Sequence, residues 1–212
     1  MIPDSPSVLP DFPRPDWGPA IESLVAHREV VLPGILPPAC WRALRAEAEA
    51  LHDYAGFQAA RIGRGEEARQ DSAVRGDDLC WLDADMPAGA AYLRWMDDLQ
   101  AALNRELFLG LSEFEAHYAH YAPGAFYRRH VDRHRDSNAR VVSAVLYLNP
   151  DWPAEAGGEF VMYARDGEQV RYRQRPEGGT LLLFMSEDMP HEVLPATLPR
   201  WSIAGWFRTR SL

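Results

Sequence analysis

Two imidazoles and a carboxylate raise the first chemical question. His130 and Asp132 stand two residues apart, and His191 follows far downstream. Such a set can occupy one face of a six-coordinate iron and leave the opposite face open, and open positions are what an oxygen-activating metal needs. The absence of sulfur donors disfavours a structural zinc. On a strand, His130 and Asp132 project to the same side, toward the interior of a barrel. His191 must then arrive from a different strand. An HxD pair recurs in ordinary loops, so its neighbours must carry the reading. His134 extends the pattern to HxDxH, but charged neighbours and Asp136-Ser137-Asn138 predict a turn there, which leaves it the weaker ligand. His117 and His120 have an odd separation and cannot share a strand face, so they read as a packed histidine and a polar-face histidine. His27 and His52 fall in a helical half of the chain and read as structural.

Arg200 comes soon after His191. An inward-pointing arginine on the strand after a ligand is costly without an anion. A dicarboxylate supplies one, with its inner end on the metal and its far carboxylate on the guanidinium. The competing reading is a surface arginine paired with an acidic side chain. All 22 residues in the Lys+Arg total are arginine, so no lysine takes part and any anion clamp uses arginine, hydroxyls or backbone amides. Arg128, Arg129, Arg133 and Arg135 surround the first histidine. They either attract an acidic ligand or partner or form a solvated loop.

The net charge of -9 argues against general nucleic-acid binding, which requires phosphate-neutralising cations. The 212 residues suit one domain. Neither a membrane-spanning apolar run nor a secretory signal is apparent, so a cytoplasmic location is expected. Cys40 and Cys80 form no CxxC pair and read as buried free thiols.

Elements must bring these residues together. Prolines crowd residues 1–19 and predict an extended leader, with a first strand completing the segment to residue 36. Residues 37–110 read as helical support. One helix runs from Pro38 to about His52 with Trp41, Leu44, Ala48 and Leu51 on one face, and another from Pro87 to about Leu107 with Leu93, Met96, Leu99 and Leu103. Residues 61–78 read as a long loop that could serve as a lid. From residue 111 the chain turns to short aromatic and β-branched runs: Phe114 to Tyr121, Val141 to Leu148, Glu159 to Tyr163, Val170 to Arg175, Thr180 to Phe184 and Trp201 to Arg208. The resulting expectation is an α+β fold, a double-stranded β-helix (jelly roll) core with helices packed outside.

The segments Tyr121-Ala122-Pro123-Gly124, His130-Val131-Asp132, Tyr147-Leu148-Asn149, Gly157-Gly158-Glu159, Gly179-Thr180-Leu181, Pro190-His191-Glu192-Val193 and Arg200-Trp201-Ser202 together resemble the iron(II)/2-oxoglutarate-dependent dioxygenases. Within them the chain is most similar to the prolyl 4-hydroxylase-like group, including the hypoxia-sensing prolyl hydroxylases and their bacterial relatives. Asp151-Trp152 and Arg75-Gly76-Asp77 ahead of Trp81 strengthen the likeness. The resemblance implies iron(II) held by His130, Asp132 and His191, and 2-oxoglutarate held at its far carboxylate by Arg200 with Tyr147 adding a hydroxyl. It places Tyr121 near the metal-bound end of the cosubstrate and Trp206 in the pocket wall. It also implies O₂ as cosubstrate, ascorbate as a reductant, and a proline-containing protein or peptide partner met by Arg75, Asp77 and Arg129. The chain departs from the pattern at Ala204, where the hypoxia-sensing enzymes place a threonine. Ser202 stands two residues from Arg200 as a substitute. The loop from Tyr121 to His130 is also shorter. Other readings are a hydroxylase of a free amino acid or small molecule, a non-catalytic metal-binding jelly-roll module, and a cupin-like enzyme. The last would leave Arg200 unexplained.

Overall fold

The computed structural model describes residues 9–54, 56–60, 71, 73–132 and 139–210. Its helices begin where proline is tolerated. Helix α1 (Gly18–His27) carries Pro19 in its first turn, where a missing N–H costs nothing. The segment to residue 36 therefore holds a helix as well as strand β1 (Glu29–Leu32), a correction to the extended leader. Helix α2 (Pro38–Asp53) buries Cys40, Trp41, Leu44 and Ala48. Helix α3 (Pro87–Leu107) buries Tyr92, Trp95, Met96, Leu99 and Leu103. Glu47, which patterning alone leaves on the polar side of α2, fastens the two helices. Its carboxylate accepts from the Ala88 and Gly89 amides at 2.8 Å each, capping the electropositive start of α3, and from the Tyr118 hydroxyl at 2.8 Å.

The remaining strands are β2 (Gln58–Ala59), β3 (Asp78–Trp81), β4 (Glu113–Tyr121), β5 (Tyr127–His130), β6 (Arg140–Tyr147), β7 (Phe160–Tyr163), β8 (Val170–Gln174), β9 (Leu181–Met185), β10 (His191–Val193) and β11 (Arg200–Arg208). Among the described residues they form a seven-stranded sheet, ordered β1-β9-β6-β11-β4-β3-β2, and a four-stranded sheet, ordered β5-β10-β7-β8. All named pairings are antiparallel. The two sheets make the expected jelly-roll-like core with helices outside. Residues 37–110 are more than helical support, because β2 and β3 extend the larger sheet. Of the predicted loop, residues 61–70 and 72 lie outside the described residues. Arg75 bridges to Tyr127, and Asp78 opens β3.

The period-two alternation of β4, β6 and β11 divides the larger sheet. Tyr118, Ala144, Leu146, Trp201, Ile203 and Phe207 join the helices in the main core. Tyr147 instead joins Phe160, Met162, Leu182, Phe184 and Met189 between the sheets. Tight backbone approaches hold the layers in place. A Cβ on Gly179 would lie 2.4 Å from the Leu36 carbonyl oxygen and 2.9 Å from the Trp41 ring, and its φ of +81° is one that glycine adopts freely. Cys40 and Cys80 are free and buried. No described helix is long and apolar enough to cross a membrane.

Candidate metal and cosubstrate site

His130 ends β5 and His191 begins β10, and the two are direct cross-strand partners. Asp132 lies just past β5 in a bend, not on the strand as the HxD spacing predicts. It still reaches both rings: Asp132 Oδ1 is 3.6 Å from His130 Nε2 and 3.7 Å from His191 Nε2. The three donors lie within the spacing that one metal ion requires. His134, the competing ligand, lies outside the described residues.

Hydrogen bonds preset the donor atoms. His130 Nδ1 is 2.8 Å from the Arg128 carbonyl oxygen, and His191 Nδ1 is 2.8 Å from that of Met189. With each Nδ1–H donating to a carbonyl, each Nε2 turns a lone pair toward Asp132. Burial, helped by His130, pushes the His191 pKa down to about 4 against the pull of Asp132, which keeps the ring neutral and able to ligate. Burial alone would raise the Asp132 carboxyl. His191, His130 and the Ser143 hydroxyl outweigh it and hold the group far below the usual carboxylate range. Ser143 Oγ donates to Asp132 Oδ2 at 2.6 Å and is itself 2.8 Å from Ser186 Oγ. Rings fix the imidazoles: Tyr127 stacks on His130 at 3.6 Å between centroids, and Phe160 on His191 at 5.0 Å. Imidazoles with Nε2 turned inward and an ionised carboxylate fit a ferrous ion.

Arg200 points inward and is 1% exposed. Its Nε donates to the Gly158 carbonyl at 2.9 Å and one terminal nitrogen to Ser202 Oγ at 3.3 Å. Ser202 thus contacts the guanidinium where Ala204 cannot. Among the described residues no carboxylate pairs with Arg200. Gly158 adopts a φ of +73°, and a Cβ there would meet Ala196 Cβ at 2.8 Å and Arg200 Cδ at 3.4 Å, so glycine lets the arginine lie flat against its carbonyl. Tyr121 faces Arg200 across β4, and Tyr147 faces Ser202 across β6. The guanidinium carbon is 5.1 Å from the Tyr121 ring centroid and 5.3 Å from that of Tyr147. Burial raises both phenols above their ordinary pKa, so both stay protonated. The Tyr147 hydroxyl is buried without a hydrogen-bond partner. A buried cation without its anion and a donor without an acceptor fit the distal carboxylate of a 2-oxoglutarate molecule.

One cavity joins these parts. Arg200, Ser202 and Tyr121 line it together with His130, Asp132 and His191. Trp206 lines it too, but sits six residues along β11 from Arg200, opposite Ser143. It is therefore level with the metal triad and away from the carboxylate end. Arg140 lies over its ring at 3.6 Å. Arg75 reaches the cavity edge, but its guanidinium already holds Asp77 through bonds of 2.5 and 2.7 Å. It also lies 4.7 Å from the centroid of Tyr127, the ring stacked on His130. Arg129 is not brought to the cavity. It stacks on Tyr163 at 3.7 Å and donates to the Gly167 carbonyl. Ser143, Tyr127, Phe160 and Arg140 escape the sequence reading. Ser143 alternates with Tyr147 on β6, a signal that was there to be read. His117 also lines the cavity, between the Trp81 and Trp206 rings, at 5.1 and 5.6 Å. His120 is buried on the opposite side of the sheet and is no polar-face residue.

Comparison with known proteins agrees with this chemistry. Residues 116–208 match the model of the 2OG-Fe(II) oxygenase superfamily. The chain is 30% identical over 168 residues to human Egl nine homolog 1, an alignment covering 76% of this chain and 39% of the human protein. It thus spans about two fifths of that relative's length. The solved structure of a Pseudomonas putida prolyl-4-hydroxylase superposes with a TM-score of 0.82 at 41% identity, covering 92% of this chain and all of that one. A prolyl hydroxylase from Trichoplax adhaerens, solved with a hypoxia inducible factor oxygen degradation domain peptide fragment, shares the fold at a TM-score of 0.79 and 24% identity, covering 89% of this chain and 86% of that one. The chain belongs to the 2OG-Fe(II) oxygenase superfamily and is prolyl 4-hydroxylase-like. Membership implies iron(II) and 2-oxoglutarate as its cofactor and cosubstrate.

Proposed function

We propose that this protein hydroxylates a prolyl residue of a protein or peptide, using iron(II), 2-oxoglutarate and O₂. The observation that carries the reading is Arg200: a buried guanidinium with no carboxylate partner among the described residues, opening onto the cavity of the His130–Asp132–His191 triad. Resemblance to a prolyl-4-hydroxylase at 41% identity favours proline over a free metabolite.

Bound there, iron with 2-oxoglutarate and O₂ supplies the oxidising power to turn a C–H bond into C–OH, with succinate and CO₂ as coproducts. The chain's own residues position and protect that chemistry. Arg200 and Ser202 bind the far carboxylate, and Tyr147 donates its free hydroxyl to it. Tyr121, directly across from Arg200, flanks the diacid. Ser143 holds Asp132 so that one carboxylate oxygen faces the two imidazoles. Phe160, Tyr127 and Trp206 exclude water around the triad. Arg75, fixed by Asp77 and stacked on Tyr127, shapes the rim where a peptide would lie.

The test is succinate release from chelator-stripped protein reloaded with Fe(II), assayed with ascorbate present, against a panel of proline-containing peptides and free amino acids. The expected result is peptide-dependent succinate and a gain of 16 mass units on one proline. Turnover of a free metabolite with no oxidised proline would overturn the substrate assignment. Metal binding with no succinate under any condition would leave a non-catalytic binding module.

A further inference from the structure

Outside the catalytic cavity, a second set of metal-ligating side chains converges. His52 in the last turn of α2, Asp78 at the start of β3 and His120 on β4 each bring one donor atom within 4.8 Å of the others. Asp78 and His120 are cross-strand partners, so both project from the same side of the larger sheet. That side is the helix-facing one, because Trp201, the partner of His120 on β11, belongs to the helix-packed core. His52 meets them from above, its ring centroid 4.4 Å from that of His120.

Packing and hydrogen bonding leave this group incomplete. His120 is 9% exposed, and its Nδ1 is buried without a hydrogen-bond partner. Trp201 covers the ring at 4.3 Å, and Phe57 stands 5.2 Å from His52, so the walls are aromatic and cannot supply the missing bond. The end of α2 presents the negative pole of its helix beside the Asp78 carboxylate, a setting that favours a cation. Arg45, the nearby cation, is paired with Glu49 at 2.8 Å and stacked on Trp201, so its charge is offset.

We propose that His52, Asp78 and His120 form a second metal site, for a divalent transition ion of the zinc class. Two imidazoles and one carboxylate are the donors such an ion accepts, with water completing a tetrahedron. Bonds of about 2.0–2.2 Å place tetrahedral donors roughly 3.3–3.6 Å apart, and rotation of the part-exposed His52 and Asp78 closes the remaining gap. The ion, keeping a water as its fourth ligand, would fasten the end of α2 to two strands that serve the cavity, since Asp78 directly follows Arg75-Gly76-Asp77 and His120 directly precedes Tyr121. This inference does not depend on the identity of the hydroxylated substrate.

The test removes the first site and looks for the second. The double variant His130→Ala/Asp132→Ala, stripped with chelator, is titrated with Zn²⁺ by calorimetry and metal analysis, and with Co²⁺ by visible absorption. The expected result is one equivalent of zinc per chain, visible cobalt bands, and a Tm rise of about 5–10 °C at zinc about 100-fold above its Kd. Adding His52→Gln should abolish the equivalent, and Asp78→Asn should weaken it at least about tenfold. Neither side chain is fully buried, so both variants are expected to fold. In the protein with its triad intact, His52→Gln should lower Tm in zinc while leaving peptide-dependent succinate release unchanged. No saturable zinc binding to the triad-less chain would overturn the proposal, as would binding that His52→Gln and Asp78→Asn leave untouched.

Discussion

The two faces of β11 are equally dry and chemically opposed. Trp201, Ile203 and Phe207 point to the helices, and Arg200, Ser202 and Trp206 to the cavity. Ile203 and Phe207 are 0% exposed, Arg200 1% and Ser202 2%. Burial therefore does not separate core from site. What separates them is unmet bonding. The helix-side residues of β11 are satisfied by packing, whereas the cavity side leaves Arg200 without a carboxylate partner among the described residues, and the Tyr147 hydroxyl and the Trp206 Nε1 without a hydrogen-bond partner. A native interior leaves few such groups. Beside the metal triad those unmet groups fit a ligand, whereas the Tyr92 hydroxyl is orphaned within the helix-packed core. The same sign, an orphaned nitrogen on His120, marks the second cluster on the helix side.

The comparison can be broken by substitution on either face. Removing a metal ligand has the largest effect: Asp132→Ala should lower succinate formation by more than about 10³-fold and lose bound iron, read by turnover and metal content. Arg200→Met comes next. It should weaken 2-oxoglutarate binding by about 10²–10⁴-fold, since losing a buried charge partner costs about 3–5 kcal/mol. The ligand-free Tm should hold or rise, because an unpaired buried cation is gone. A Tm fall as large as that of a core variant would erase the distinction between the faces. Phe207→Ala, on the helix side, should cost about 3–5 kcal/mol of stability by denaturant melt and leave the KM for 2-oxoglutarate within about twofold below the transition.

A smaller effect tests His117, on the cavity side of β4. Burial, with Arg75 adding to it, pushes its pKa down to about 4 from an unfolded value near 6.5. Between those values the unfolded chain binds the extra proton. Stability is therefore full above about pH 6.5, falls as the pH drops toward 4, and loses nothing more to this group below that. At 1.36 kcal/mol per unit the loss is about 3 kcal/mol. His117→Gln should flatten the acid limb of the stability profile by that amount, although His191, shifted in the same direction, keeps its own share. The smallest change is Tyr147→Phe. It should raise the KM for 2-oxoglutarate about 5–10-fold, worth about 1 kcal/mol, and leave Tm unchanged because the hydroxyl has no partner to lose.

Much of this arrangement was legible in the sequence. Helices α2 and α3 start and stop close to where apolar spacing and proline place them. The inward turn of Arg200 was an expectation that needed an anion to offset the charge, and the structure does bury it beside the triad. Period-two alternation assigned His117 and His120 to opposite faces. It did not say which face was wet, and the reading of a polar-face histidine was wrong. Helix α1 was hidden by the surrounding prolines, one of which lies in its first turn. Arg129 was expected to meet the substrate, yet alternation on β5 sends it to Tyr163. Alternation with Tyr147 could place Ser143 on the cavity face, but its bond to Asp132 needs that residue to fold back from the bend after β5.

Residue types and local periodicity determined the class of fold and singled out His130, Asp132, His191 and Arg200 as candidates, with the family resemblance proposing their roles. These follow from the donor chemistry of side chains and from dihedral preferences within one segment. The tertiary structure alone decided which strands pair, and so that His130 meets His191, that Arg200 lies across from Tyr121, and that His52 descends on Asp78 and His120. Backbone hydrogen bonds are the same for every register. Partner and register are therefore set by the packing of the whole core, which no single segment contains.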